Sequence, residues 1–220
     1  MPLFDPHHFR SRLHALDERE PFLFPRSAIP SDFRRSAVLI PFWEHEGRVQ
    51  VLMTRRSATM SRGAGQVSFA GGLLEGAESV EEAALREAFE EVGLDPGGAA
   101  VLGRLDDAWS RTGSLLVPVV AWLGQRPSWT PNPAEVAEIL EPFVDELVDP
   151  ASQGRETVSH AGMTFTNSVV RWAGGQAYGL SADLLLEALA WGTGEPSDRG
   201  RTRLSELEAY LSSGRPGPRR

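Results

Sequence analysis

The chain has 220 residues, a formal net charge of −8 and 41% hydrophobic residues, enough for one self-sufficient core with extensions. The acidic balance argues against a general nucleic-acid or anionic-membrane binder, and no run approaches the ~18 consecutive apolar residues of a membrane span. Cysteine is absent, which excludes disulfides, thiolate metal sites and a cysteine nucleophile.

The first residues, MPLFDPHHFRSRL, lack the apolar segment of a secretory signal, so a cytoplasmic location is expected. Phe4–Leu16 has the spacing of a short amphipathic helix, and Pro21–Pro30 is a proline-punctuated connector. Ser36–Trp43 (SAVLIPFW) and Arg48–Thr54 read as strands joined by a turn at Glu46-Gly47. Gln66–Ala70 is a short strand that leads into Gly71-Gly72, a tight loop where backbone must approach something closely. A well-specified helix follows. Ser79 and Glu82 form a capping box, and Val80, Ala83, Ala84, Ala88 and Val92 recur on one apolar face. Gly93 is the expected C′ residue.

Glu87, Glu90 and Glu91 occupy the last turns of that helix, where its dipole favours cations. Glu87 and Glu91 are also an i,i+4 like-charge pair, which costs about 0.2–0.5 kcal/mol. A charge run is ordinarily a solvated face. Here a divalent cation would turn both penalties to advantage, because Mg²⁺ takes few carboxylates and keeps several waters that a phosphate substrate can replace. Arg86 and Glu90 form a second i,i+4 pair that would hold Glu90 in place.

Val101–Leu105, Leu115–Leu123 and Val136–Leu140 read as further strands, with a proline-rich loop over Arg126–Pro133. Asp106-Asp107 is either a turn or a binding group for metal or substrate hydroxyls. A short helix is expected around Phe143–Val148, then short strands at Thr157–His160, Met163–Thr166 and Val169–Trp172. Ser181–Trp191 is a helix with apolar Leu184, Leu185, Ala188 and Leu189. From Gly192 a polar linker precedes a short helix, Leu204–Leu211, and the closing RPGPRR. This tail reads as loosely held, with a homodimer contact or a basic arm over the substrate as the alternative. The divisions are therefore an N-terminal helix and connector over 1–33, a central domain over 34–192 and a C-terminal segment over 193–220. The five histidines show no metal spacing.

Gly72, Glu78, Arg86, Glu87, Glu90, Glu91, Gly93 and Leu94 together match the Nudix box, G-x5-E-x7-R-E-U-x-E-E-x-G-U. Only Ala88 departs, standing where the family has a bulkier aliphatic residue. The chain thus resembles Nudix hydrolases. That resemblance implies an α/β fold, the α/β/α sandwich with a mixed β-sheet between helices. It implies hydrolysis of a pyrophosphate in a small nucleotide-derived substrate, with Mg²⁺ or Mn²⁺ as cofactor. It makes Gly72, Glu87, Glu90 and Glu91 the metal-binding set, with Arg86 orienting the glutamates and Glu78 supporting it. A further acid on a loop serves such enzymes as base or ligand, and Glu135 fits that position better than Glu138.

The flanking segments resemble the coenzyme A pyrophosphatase branch. Leu52, Thr54, Arg56, Ser57, Gly65, Gln66, Phe69, Gly71 and Gly72 match its L-L-T-x-R-S…R…G-Q-x-x-F-P-G-G. GRLDDAWSRTGSLLVPVVAWL (103–123), EVAEILEPFVDEL (135–147) and YGLSA (178–182) resemble its later segments. This implies coenzyme A or acyl-coenzyme A as substrate, giving 4′-phosphopantetheine and adenosine 3′,5′-bisphosphate. Arg55, Arg56 and Arg62 would grip phosphates, with Gln66 and Phe69 on the substrate side; Phe69 and Trp109 are candidates for stacking on adenine. The chain departs from the branch at Ser61, Gly63, Ala70, Tyr178 and Ser181, all in the part thought to select coenzyme A. ADP-ribose, NADH or dinucleotide polyphosphates are the alternative substrates, and a non-catalytic nucleotide-binding module is the alternative of another class.

Overall fold

A computed structural model of the chain describes residues 4–160, 163–195 and 199–213. Helix α1 (Pro6–His14) starts at Asp5, whose carboxylate accepts the His7 N–H at 3.0 Å. Strand β1 (Arg34–His45) turns through Glu46-Gly47 into β2 (Arg48–Val51). Next come β3 (Met53–Arg56), β4 (Val67–Ser68), β5 (Gly71–Leu73) and helix α2 (Val80–Val92). Strands β6 (Ala99–Arg104), β7 (Ala108–Ser110), β8 (Ser114–Leu123) and β9 (Val136–Leu140) follow, then the single-turn helix α3 (Val144–Leu147). The chain continues through β10 (Gln153–His160), β11 (Met163–Trp172) and β12 (Gly175–Tyr178) into helices α4 (Leu180–Thr193) and α5 (Arg199–Ser212). No helix among the described residues is long and apolar enough to cross a membrane.

The central sheet runs β2-β1-β8-β6, with β5 also on β1 and β7 also on β8. Strands β1 and β8 are parallel and all the other pairs are antiparallel, so the sheet is mixed. Both faces of β1 are covered, which explains its nearly continuous apolar run. Ala37, Leu39 and Trp43 face α2, together with Val117, Val119 and Ala121 of β8. Val38, Ile40 and Phe42 face the other way, onto Phe9 and Leu13 of α1 and Leu185 and Leu189 of α4. This alternation is the period of two expected of a strand. The result is the helix–sheet–helix sandwich that the family resemblance implies.

Several local expectations are corrected. Arg48–Thr54 is not one strand: it breaks at Leu52, whose N–H donates to the Pro41 carbonyl while its side chain enters the α2-side core. Strand β3 thereby leaves the central sheet and pairs with β4 and β9. Gly71-Gly72 is a strand on β1 rather than a loop. Strand β11 is continuous where two short strands are expected.

Asp106 and Asp107 are neither a simple turn nor a metal pair. Asp106 Oδ1 accepts the Phe22 N–H at 2.9 Å and pairs with Arg19, and its Oδ2 accepts the Gly200 N–H at 2.9 Å. Asp107 Oδ2 accepts the Phe24 N–H at 2.9 Å. The two aspartates therefore fasten both terminal segments to the sheet. The expectation of a loosely held tail fails for 199–213: Leu207 is fully buried and Arg203 is 4% exposed. Arg203 pairs with Glu187 at 2.6 Å and Asp183 at 2.8 Å. The closing RPGPRR lies outside the described residues.

Removing one member of a buried ion pair leaves the other uncompensated, which costs about 3–5 kcal/mol. Arg203→Ala is therefore expected to lower stability by about that amount, read as a fall in the urea midpoint. A midpoint within error of wild type would show that Arg203 does not hold α5 to the sandwich.

Candidate functional site

The site begins where β5 is clamped between β1 and α2. The capping box that starts α2 is fully formed: Ser79 Oγ accepts the Glu82 N–H at 3.2 Å, and Glu82 accepts the Ser79 N–H at 2.7 Å. Gly93 ends the helix at φ 73°, a left-handed conformation that glycine adopts without strain. Val80, Ala83, Ala84, Ala88 and Val92 face the sheet, and among them lies one carboxylate, Glu91, 3% exposed. Its Oε1 accepts the Gly71 N–H at 3.4 Å. A methyl group on Gly72 would collide with the Glu87 carboxylate, so the bare backbone of β5 makes room for the acids of α2.

Arg86 organises the acids at the helix surface. Its Nε and Nη2 donate to Glu78 at 3.1 and 3.0 Å, and Nη2 also donates to the Leu73 carbonyl at 3.0 Å. Its Nη1 donates to Glu87 at 3.1 Å and to Glu90 at 3.0 Å. The structure thus brings Arg86 together with Glu78, Glu87 and Glu90. The hydrogen bond from Arg86 holds the Glu78 carboxyl below its usual range.

A second loop closes the site. The Thr130 and Asn132 N–H groups donate to the Val92 and Glu91 carbonyls at 2.8 Å each, satisfying carbonyls at the end of α2. Asn132 Nδ2 donates to Glu135 at 3.3 Å, and the Glu135 carbonyl accepts the Ser57 N–H at 2.7 Å. Glu135 is thereby set beside the end of β3, where Arg56 lies. Burial pushes Glu91 up to about 7; the Gly71 N–H and Arg56 oppose this, and the charges of Glu135 and Glu87 reinforce it. Glu87 is also raised, first by burial and then by Glu90 and Glu135, against the pull of Arg86.

Among the described residues no three acidic or histidine side chains come together tightly enough to enclose an ion. Glu90 in particular turns to Arg86 and is half exposed. The donor set still fits a hard cation. Glu87 and Glu91 are neighbouring carboxylates, part-buried and buried, whose ionisation is held back by desolvation, and Mg²⁺ needs only one or two carboxylates plus substrate phosphates and water.

The substrate-side candidates separate. Arg56 faces Glu91 electrostatically, and its side chain runs past Gly63. Arg62 is exposed on the β3–β4 loop. The Gln66 carbonyl accepts the Arg56 N–H at 2.9 Å. Arg55 points elsewhere, pairing with Glu138 at 2.7 Å. Phe69 is a correction: it is 3% exposed and packs in the α1/α4-side core, so it offers no face to a base. Trp109 packs against Tyr210 and donates to the Arg203 carbonyl at 3.0 Å. Arg55, Gln66 and Trp109 all line a cavity of about 830 Å³ between the β3–β4 loop, β10–β12 and the last two helices. Of its other walls, Arg111 and Tyr178 lie in the branch-like segments 103–123 and 178–182, whereas Arg155 and Arg199 lie in no quoted motif, and in a chain whose 22 basic residues are all arginine nothing distinguishes them by type.

The position of Glu91 predicts an unusual pH dependence. Its folded pKa lies above its ordinary 4.5, so the folded chain holds the proton more tightly than the unfolded one. That stabilisation is complete below about pH 4.5 and is lost as pH rises to about 7. In EDTA-treated protein, Glu91→Gln should therefore become progressively more stable than wild type between these values, by on the order of 3 kcal/mol at the upper end. Urea unfolding of both proteins across that range checks this; a pH-independent difference would show that Glu91 titrates normally.

A family profile described as NUDIX domain matches residues 33–160. The chain is 42% identical over 114 residues to a protein of Pectobacterium atrosepticum described as uncharacterized Nudix hydrolase NudL, an alignment covering 51% of this chain and 59% of that one. It is 38% identical over 139 residues to the protein of the same description from Photorhabdus laumondii, covering 63% of this chain and 74% of that one. A solved MutT/nudix family protein from Enterococcus faecalis aligns over 96% of this chain and 89% of its own, at 14% identity and a TM-score of 0.49. The match to the Pectobacterium protein spans less than two thirds of that relative's length. The chain belongs to the Nudix hydrolase family, whose members act on pyrophosphate bonds and generally use divalent metal ions.

Proposed function

We propose that the chain hydrolyses the pyrophosphate of coenzyme A or an acyl derivative, releasing 4′-phosphopantetheine and adenosine 3′,5′-bisphosphate. The observation that carries the hydrolytic part is the electrostatic coupling of Glu91 to Glu87, Glu135 and Arg56 beside the bare backbone of Gly71 and Gly72. The coenzyme A part is supported by the match of residues 52–72 to that branch, because the same segment carries Arg56, which acts on Glu91, and Gln66, whose carbonyl accepts the Arg56 N–H.

Glu87 and Glu91 would hold Mg²⁺ or Mn²⁺, with Glu90 and the Gly72 carbonyl completing the set. The ion, when bound, neutralises phosphoryl charge and acidifies water. Arg86 keeps Glu87 and Glu90 oriented through its bonds to Glu78 and Leu73. Arg56 would pair bidentately with pyrophosphate oxygens. Glu135 would take a proton from the attacking water, whose oxygen adds to one phosphorus as the bridging oxygen leaves with the other.

Glu87→Gln and Glu91→Gln are each expected to lower kcat about 100-fold or more with the fold retained, because each removes charge that acts in the transition state. The substrate is tested by product detection on coenzyme A, acetyl-coenzyme A, NADH, ADP-ribose and diadenosine polyphosphates, with Mg²⁺ and with Mn²⁺. Preferential turnover of the coenzyme A species supports the assignment. A preference for another compound would mean that Ser61, Gly63 and Ala70 retune selection, and near-normal turnover in both glutamine variants would sink the catalytic scheme.

A further inference from the structure

The cavity beside the acid cluster has a composition that the hydrolytic chemistry does not explain. Five arginines line it: Arg55, Arg111, Arg155, Arg199 and Arg203. Among the described residues Asp183 and Glu206 are the acids in its walls, and Glu138 and Glu187, outside the lining, pair with Arg55 and Arg203. Asp183 is already shared between Arg199 and Arg203. Glu206 is pushed up by burial and by the charge of Asp183, against the pull of Arg155, Arg203 and Arg111. In a chain of net charge −8, five arginines against these four acids around about 830 Å³ are a local inversion of the overall sign by a margin of one.

The cavity also adjoins the segment that carries Arg56: Gln66, which lines it, and Arg56 both bring side-chain atoms within 3.4 Å of where a methyl group on Gly63 would lie. Arg56 faces Glu91, while its chain neighbour Arg55 lines the cavity. Gly65 and Gln66, which return the chain from the β3–β4 loop, line the cavity and hydrogen-bond the Arg56 backbone. A substrate with its pyrophosphate at Arg56 would thus have the arginine walls on the neighbouring side of the same β3–β4 segment. Most of those walls come from α5, α4 and β10–β12, the C-terminal part of the chain. Arg155 on β10 is exposed and stands among those walls, so it can meet a ligand without first leaving a buried partner.

We propose that this cavity binds a phosphomonoester of the substrate that lies outside the scissile pyrophosphate, and that it confers selectivity for nucleotides bearing one. This rests on the coenzyme A reading for the identity of that group, the 3′-phosphate, but not for its chemistry. Arginine suits the task because its planar fork pairs with two phosphate oxygens at once.

The test is calorimetric titration of the full chain with adenosine 3′,5′-bisphosphate and with adenosine 5′-phosphate, needing no turnover. Wild type is expected to bind the bisphosphate about tenfold or more tightly than the monophosphate, and Arg155→Ala to bring that ratio toward one, with Arg155→Glu going further. Circular dichroism and Tm confirm that the variants fold, and Arg111→Ala gives an independent second variant with the same expected sign. Equal binding of the two nucleotides by wild type, or a ratio unmoved in Arg155→Glu, overturns the proposal. A turnover arm separates it from the reading beneath it. Cleavage of coenzyme A and 3′-dephospho-coenzyme A with a kcat/KM ratio that falls in Arg155→Ala supports both. A calorimetric preference without cleavage of either compound supports the cavity and overturns the substrate assignment. Cleavage of both with an unmoved ratio leaves the substrate assignment standing and removes the cavity from it.

Discussion

The structure depends on a steric constraint two residues long. Strand β5 lies between β1 and α2 with no side chain on either Gly71 or Gly72. A methyl group on Gly71 would strike the Ala37 carbonyl, and one on Gly72 would strike the Glu87 carboxylate. Neither glycine is among the positive-φ positions, so the requirement is for space rather than for a special backbone conformation. The same closeness explains the small residues on the packed face of α2. Ala83, Ala84 and Ala88 are fully buried, and they let the helix approach the sheet near enough for Glu91 to reach the Gly71 N–H. Ala88, the one departure from the box, thus belongs to the same economy of space.

That approach concentrates negative charge at the wrong end of a helix, and the chain offsets it in three ways. Arg86 binds Glu78, Glu87 and Glu90 and anchors all of them to the Leu73 carbonyl. The loop after β8 donates the Thr130 and Asn132 N–H groups to the last carbonyls of α2, so the helix end is satisfied by backbone rather than by a cation. Arg56 and the Gly71 N–H work against the desolvation of Glu91 without cancelling it. The residual cost remains on Glu87 and Glu91, and a buried anion with an unspent cost is the state that a hard cation stabilises most.

What was legible in the sequence was local. The capping box, the Gly93 terminus and the apolar face of α2 are short-range patterns, and all are present as read. The apolar runs of β1 and β8 were legible as strands, and the structure buries both faces of β1. What was not legible depended on partners distant in sequence. Leu52 interrupts an otherwise continuous strand because Pro41 accepts its N–H and a pocket beneath α2 accepts its side chain. Phe69 matches a branch motif, yet the motif position is a core position. Asp106-Asp107 has turn composition, but three backbone N–H groups from residues 22, 24 and 200 decide its role. Among the candidate acids, the coupling of Glu135 to Glu87 and Glu91 needed the fold, since Glu135 lies 44 positions after Glu91 in the sequence.

The terminal segments show how a structural network can set the shape of a binding surface. Asp106 takes hydrogen bonds from Phe22 and Gly200, and its own N–H donates to Glu187 at 3.0 Å. Glu187 in turn pairs with Arg203, which also holds Asp183. The N-terminal connector, the sheet, α4 and α5 therefore meet around one buried set of charges. Such a set is poor evidence of net stability, because desolvation consumes most of the attraction. Its consequence here is geometric: it fixes α5 in one position, and α5 supplies Arg199, Thr202, Arg203 and Glu206 to the cavity. An apolar contact of the same size would leave α5 freer to slide along the sheet, whereas paired charges admit one register. The cavity's shape is thus a consequence of where those buried charges find one another.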